Sequence, residues 1–106
     1  MTKQEIQSVV RETITELRRQ GVLQGDIQQA YQMTAQRLKM YYSGNTDIKL
    51  AEVLDRLRND IYFQIIPLYY KDGNTLELIA HIMHTDTSTI SRNKKRLCLE
   101  IYSELN

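Results

Sequence analysis

A run of hydroxyl-bearing and basic residues near the C-terminus holds the side chains of this sequence best suited to bind a ligand. Residues 87–99 contain four cations and no carboxylate. Arginine and lysine neutralise phosphate oxygens, and hydroxyl and guanidinium groups also hydrogen-bond the edges of bases. This local chemistry predicts a contact with double-stranded DNA through Thr87, Ser88, Ser91, Arg92, Lys94, Lys95 and Arg96.

We expect these side chains to have different roles. Short hydroxyl residues at a helix start, such as Ser88, can approach base edges or phosphate, and the backbone N–H groups there attract an anion. Arg92 is the candidate for base reading, because a bidentate contact to guanine contributes roughly 1–3 kcal/mol of discrimination. Lys94, Lys95 and Arg96 are expected to hold the DNA backbone. A basic run by itself is usually a solvated helix face, and cations late in a helix also suit the helix dipole; because this run lies mid-helix, the dipole explanation is weaker.

Other reactive residue types give weaker patterns. His81 and His84 lie three residues apart, but no third ligand of suitable type and spacing accompanies them. Cys98, between two leucines, is interpreted as a small buried hydrophobe. We therefore expect no catalysis, no bound metal and no cofactor.

Two tyrosine pairs, Tyr41-Tyr42 and Tyr69-Tyr70, could stack on bases as in single-strand binders. Helical periodicity places one member of each pair inward. Core packing with a hydroxyl near the surface is therefore the preferred interpretation.

The composition favours an all-α fold of about five to six helices, since 106 residues include one proline and four glycines. A first amphipathic helix is predicted over Thr2–Gln20 with Gly21 as its stop. Asp26 is predicted to cap a second helix that ends near Gly44. Asp47 is predicted to cap a third, with Leu50, Leu54 and Leu57 on its apolar face.

Asn59-Asp60 offers both a helix stop and a new cap for the apolar segment 61–70. Pro67 lies inside that segment and costs on the order of 3 kcal/mol in a helix interior. We expect a kink or a break there.

The last third of the chain predicts a helix-turn-helix. Two helices, over 75–83 and 87–104, flank a turn at His84-Thr85-Asp86, with Asp86 or Thr87 capping the second. Asn74 or Thr75 should cap the first, and Glu77 could complete a capping box from Asn74. Ala80 is the small residue expected where the helices touch; Leu76, Ile79, Met83, Ile90, Leu97 and Ile101 are expected to face inward.

The same segment resembles a known group of DNA-binding domains. The strings that carry the resemblance are Leu68-Tyr69-Tyr70, Thr75-Leu76-Glu77-Leu78-Ile79-Ala80, Ser88-Thr89-Ile90-Ser91-Arg92 and Lys95-Arg96-Leu97. Over about residues 61–104 the chain is similar to the fourth region of sigma factors and to phage late-gene regulators of the ArpU type. His84, Thr85 and Asn93 depart from that pattern, which has glycine at the first position and apolar residues at the others. A positive φ at His84 would cost more than at glycine.

The resemblance implies a sequence-specific transcriptional regulator of phage or prophage origin that inserts helix 87–104 in the major groove. It also makes RNA polymerase a candidate partner. Residues 59–106 would form the DNA-binding region, whereas residues 1–58 carry no motif. We rank a scaffold role for residues 1–58 first and a homodimer interface second.

Two alternatives stay open. A helical interaction module could dock to RNA polymerase without gripping DNA, and the near-neutral net charge of +1 is compatible with this. A phage packaging component could recognise a viral DNA end with the same motif.

Composition also bears on location. The single cysteine excludes an intramolecular disulfide, and the N-terminus lacks the pattern of a signal peptide. No apolar run approaches the roughly 20 residues needed to cross a bilayer. We expect a cytoplasmic protein.

Overall fold

The computed structural model describes residues 24–106, which form five helices. They are α1 (Gln24–Tyr42), α2 (Ile48–Leu57), α3 (Ile65–Tyr70), α4 (Leu76–Ile82) and α5 (Thr87–Leu105). The described residues contain no strand, and the all-α prediction is confirmed. The helix predicted over Thr2–Gln20 lies outside the described residues.

Helix α5 is the central element, and it packs against each of the other four helices. Its residues Leu97 and Ile101 are fully buried together with Leu38 of α1, Leu50 of α2 and Ile66 of α3. Each such side chain contributes roughly 1.5–3 kcal/mol when it leaves water. The N-terminal helices and the C-terminal segment therefore share one core.

The start of α2 agrees with the sequence prediction. Asp47 is its N-cap, with the carboxylate accepting a hydrogen bond from the backbone N–H of Leu50 at 3.1 Å. Asp47 also accepts from Arg37 of α1, which ties the two helices together. The cap predicted at Asp26 is wrong, because this residue lies inside the first described turn of α1.

The segment around Pro67 differs from the prediction. Residues 61–64 form turns, and α3 begins only at Ile65. Pro67 therefore falls in the first turn of α3, where N–H groups have no intrahelical acceptor, and the expected interior kink is not needed. Asp60 accepts from the backbone N–H of Tyr62 at 2.8 Å, but this bond lies in the turns, and the N-cap of α3 is Gln64; the helix cap predicted at Asn59-Asp60 is therefore wrong.

At the start of α4, Thr75 is the N-cap and accepts from the backbone N–H of Leu78 at 3.2 Å. The side chain of Asn74 instead donates to the carbonyl of Leu68. The capping box predicted from Asn74 to Glu77 is therefore wrong, because Asn74 is bound to the preceding helix.

Candidate nucleic-acid interface

Helices α4 and α5 form a packed pair supported by α3. Ile79 and Ala80 of α4 are buried in one cluster with Ile90 of α5 and Ile65 of α3. A small side chain at Ala80 lets the two helices approach closely. The inward positions predicted at Ile79, Ala80 and Ile90 are confirmed.

The turn between α4 and α5 contains a strained residue. His84 has φ of 56°, the left-handed conformation in which glycine is preferred. The next residue is bound to α4, because the backbone N–H of Thr85 donates to the carbonyl of Ala80 at 2.9 Å. His84 thus adopts a backbone conformation that glycine takes without steric cost.

Asp86 is the N-cap of α5. Its carboxylate accepts from the backbone N–H of Thr89 at 2.7 Å. This bond occupies one of the N–H groups expected to attract an external anion, and it places a negative charge at the same helix end. Contacts of α5 with an anion therefore depend mainly on side chains beyond the first turn.

One face of the first half of α5 points away from the core. Ser88, Ser91 and Lys95 are exposed and Arg92 is partly exposed; we call these four residues the α5 stripe. Their spacing of three and four residues puts them on one side of the helix. Thr87 is partly buried at the helix start. The structure thus leaves these four of the residues predicted to contact DNA at least partly accessible to solvent.

The α5 stripe ends abruptly after Lys95. Leu99, one helical turn further along the same face, is only 1% exposed. It packs in a cluster with Ile27 and Ala30 of α1. The N-terminal half of α1 therefore covers the continuation of the stripe.

Lys94 does not point outward, and the expectation that it holds the DNA backbone is corrected. Its residue exposure is 8%. The ammonium donates to the hydroxyl of Tyr31 in α1 and lies 4.3 Å from the ring centroid of Tyr69, with the Tyr70 ring also nearby. Three tyrosines enclose the cation, so it stabilises the contact between α1, α3 and α5.

Arg96 is also removed from the proposed DNA contacts, because it is 1% exposed. Its guanidinium makes two hydrogen bonds to Asp60, at 2.9 and 3.0 Å, and one to Glu100 at 3.2 Å. Its Nε donates to Asn93, whose own side-chain amide donates to the carbonyl of Thr89. Asn93 occupies an expected apolar position because it completes this buried polar network.

The network also sets the ionisation of its members. Burial raises the pKa of Glu100, and the attraction of Arg96 offsets this only in part. Burial acts to raise the pKa of Asp60 too, but hydrogen bonds from Arg96 and from the backbone of Tyr62 outweigh it and lower the pKa. Burial acts to lower the pKa of Arg96, but its bonds to the two carboxylates raise it overall. The Arg96–Asp60 pair is therefore held in its charged form.

Sequence reasoning missed both buried cations, although one signal was present for each. Lys94 lies four residues after Ile90 and three before Leu97, which is the spacing of the inward face. Arg96 and Glu100 are an i,i+4 pair of opposite charge. The distant partners, Tyr31 and Asp60, leave no such signal.

The side chain of Arg92 is partly exposed to solvent and partly buried. Its Nε is buried and donates to no acceptor among the described residues. A buried N–H without a partner costs about 1–3 kcal/mol. A rearrangement of this side chain toward an external acceptor would recover that cost.

The remaining reactive residues are separate from the α5 stripe. Cys98 is fully buried with its Sγ 3.5 Å from the hydroxyl of Tyr70, and burial raises the pKa of the thiol. His81 and His84 are exposed. Among residues 24–106 no three histidine, cysteine or acidic residues are grouped to hold a metal ion, and no helix there is long and apolar enough to cross a membrane.

Comparisons with known proteins do not place the chain in a family. No protein-family model, curated protein or solved structure matches it. The resemblance to region four of sigma factors and to ArpU-type regulators therefore stays a prediction from the residues. The function proposed below depends on the side chains of α5 and on the helices that hold them.

Proposed function

We propose that this protein binds double-stranded DNA sequence-specifically and regulates transcription, with the first half of α5 inserted in the major groove. The observation that carries the proposal is the α5 stripe, which lies at the start of a helix held by four others. Groove recognition needs polar side chains on a rigid helix whose N-terminal part is accessible. This arrangement supplies both.

The roles within the α5 stripe follow from side-chain chemistry. Arg92 has a planar guanidinium that matches the two acceptors of guanine, and its buried Nε has no acceptor among residues 24–106. Lys95 is exposed and carries a compact charge suited to phosphate. Ser88 and Ser91 are short enough to let the helix approach base edges.

The test starts with a footprint on the DNA around the gene, followed by mobility shifts of the mapped site at two salt concentrations. Arg92→Ala should weaken specific binding about 5- to 150-fold, which corresponds to roughly 1–3 kcal/mol, and relax specificity at one base pair. Lys95→Ala should weaken binding to all sequences alike. Lys49→Ala, an exposed lysine on α2, is the matched control. Unchanged affinity in both test variants would disprove the proposal.

A second candidate is a protein-interaction module that docks to RNA polymerase without binding DNA. It is favoured by Leu78 and Ile82, which are 45% and 43% exposed one turn apart on α4. Leu78→Gln with Ile82→Gln should then abolish co-purification with RNA polymerase. Retention of the complex in that double variant, or salt-sensitive DNA binding by the protein alone, would count against this candidate.

A further inference from the structure

The length of the α5 stripe limits how much DNA one copy can read. Ser88 to Lys95 spans seven residue steps, or about 10 Å at 1.5 Å per residue. Base pairs rise about 3.4 Å each, so this length matches about three base pairs. Leu99, packed under Ile27 and Ala30 of α1, prevents a duplex from following α5 further.

The number of charges that α5 can present to DNA is also limited. Of its four cations, Lys94 is enclosed by tyrosines and Arg96 is bound to Asp60 and Glu100. Arg92 and Lys95 are the two that reach the outward face. The other arginines of the described residues, Arg37, Arg56 and Arg58, already face carboxylates.

We infer that one copy of this chain engages a DNA subsite of about three base pairs and presents only two cations to the DNA through α5, Arg92 to a base and Lys95 to phosphate. The inference rests on the proposed function and specifies its DNA target. Lys94 and Arg96 are buried, so we expect neither of them to add to the salt dependence that α5 contributes.

The consequence is measurable because each neutralised phosphate contributes about −0.9 to the slope of log affinity against log salt concentration. Lys95 alone predicts that α5 contributes about −0.9 to the slope, whereas Lys94, Lys95 and Arg96 together, the set that the sequence predicts on the DNA backbone, would contribute about −2.7. Fluorescence anisotropy of the full chain on a labelled duplex carrying one mapped subsite, between 50 and 300 mM KCl, measures this slope.

Three variants separate the outward cations from the buried ones. Lys95→Ala should make the slope shallower by about 0.9. Lys94→Met, which keeps the length of the side chain, should leave the slope unchanged, as should Lys49→Ala. An unchanged slope in Lys95→Ala, or a shallower slope in Lys94→Met, would overturn the inference.

A base-pair scan keeps the inference testable if Lys94→Met does not fold, as circular dichroism would reveal. Single substitutions across the site should reduce affinity at about three consecutive base pairs per bound copy. Sensitivity over six or more consecutive base pairs for one copy would contradict it. Absence of any salt-dependent DNA binding would instead reject the proposed function itself, so the two failures are distinguishable.

Discussion

At the scale of single residues, Lys94 and Arg96 are buried by different means. Arg96 is compensated by two carboxylates and the amide of Asn93, whereas Lys94 is held by a phenol oxygen and aromatic ring faces. An ion pair leaves an uncompensated buried charge when one partner is removed. When a cation that lies against tyrosine rings is removed, only neutral groups remain.

This difference predicts that methionine at position 94 and methionine at position 96 will change stability by unequal amounts. Lys94→Met should change the free energy of unfolding by less than about 1 kcal/mol, because it replaces a desolvated cation with an apolar chain of similar length. Arg96→Met should cost about 3 kcal/mol or more, because Asp60 and Glu100 lose their shared cation. Urea denaturation at pH 7 measures both. Equal destabilisation by the two variants would contradict this account.

At the scale of elements, the geometry of the candidate interface depends on the turn between α4 and α5. The turn places His84 at positive φ and then caps α5 with Asp86. The cap and the packing of Ala80 against α5 fix the direction of α5. Strain at one residue is thus compensated by a well-capped helix start.

His84→Gly is expected to stabilise the fold by roughly 0.5–1 kcal/mol, since glycine adopts the left-handed conformation without steric cost. The matched control is His81→Gly within α4, which should destabilise by a similar amount because glycine is unfavourable inside a helix. Thermal unfolding of both variants measures the difference in sign. A destabilised His84→Gly protein would show that the imidazole makes a stabilising contact that outweighs the strain.

At the scale of the whole molecule, buried and capping carboxylates make stability depend on pH. The hydrogen bonds from Arg37 lower the pKa of Asp47, and the bonds of Asp60 outweigh its burial and lower its pKa as well. Both groups contribute stability above their ordinary pKa of 3.8, and this is lost as pH falls through the lower folded values. Glu100 acts in the opposite direction, because burial raises its pKa above 4.5.

We therefore expect acid to lower the free energy of unfolding mainly below pH 4, where Asp47 and Asp60 become protonated. At higher pH, as the pH falls through the raised pKa of Glu100, protonation of Glu100 should stabilise the protein and offset part of the loss. Asp60→Asn should lower stability at pH 7 and make the acid loss smaller. Glu100→Gln should remove the stabilisation that protonation of Glu100 provides as the pH falls. Urea denaturation between pH 2.5 and 7 tests both expectations; identical pH profiles for wild type and Asp60→Asn would rule out this role of Asp60. Asp55→Asn, whose partner Arg58 is exposed, is the control.

Much of the fold could be predicted from local patterns. The helix-rich composition, the cap at Asp47, the contact at Ala80 and the inward face through Ile90 and Leu97 all depend on residues close in sequence. The same holds for the outward direction of Ser88, Ser91 and Lys95. Helical periodicity determines which residues share a face, and capping determines where a face begins.

Only the tertiary structure decided which cations remain outside. Tyr31 reaches Lys94 across 63 positions, and Asp60 reaches Arg96 across 36. It also decided where the α5 stripe ends, because α1 packs over Leu99. The packing of the helices determines such distant partners, and the local spacing of residues carries no information about that packing. The sequence by itself therefore determined most of the helices and the location of the candidate interface on α5, while packing determined the length and the charge of that interface.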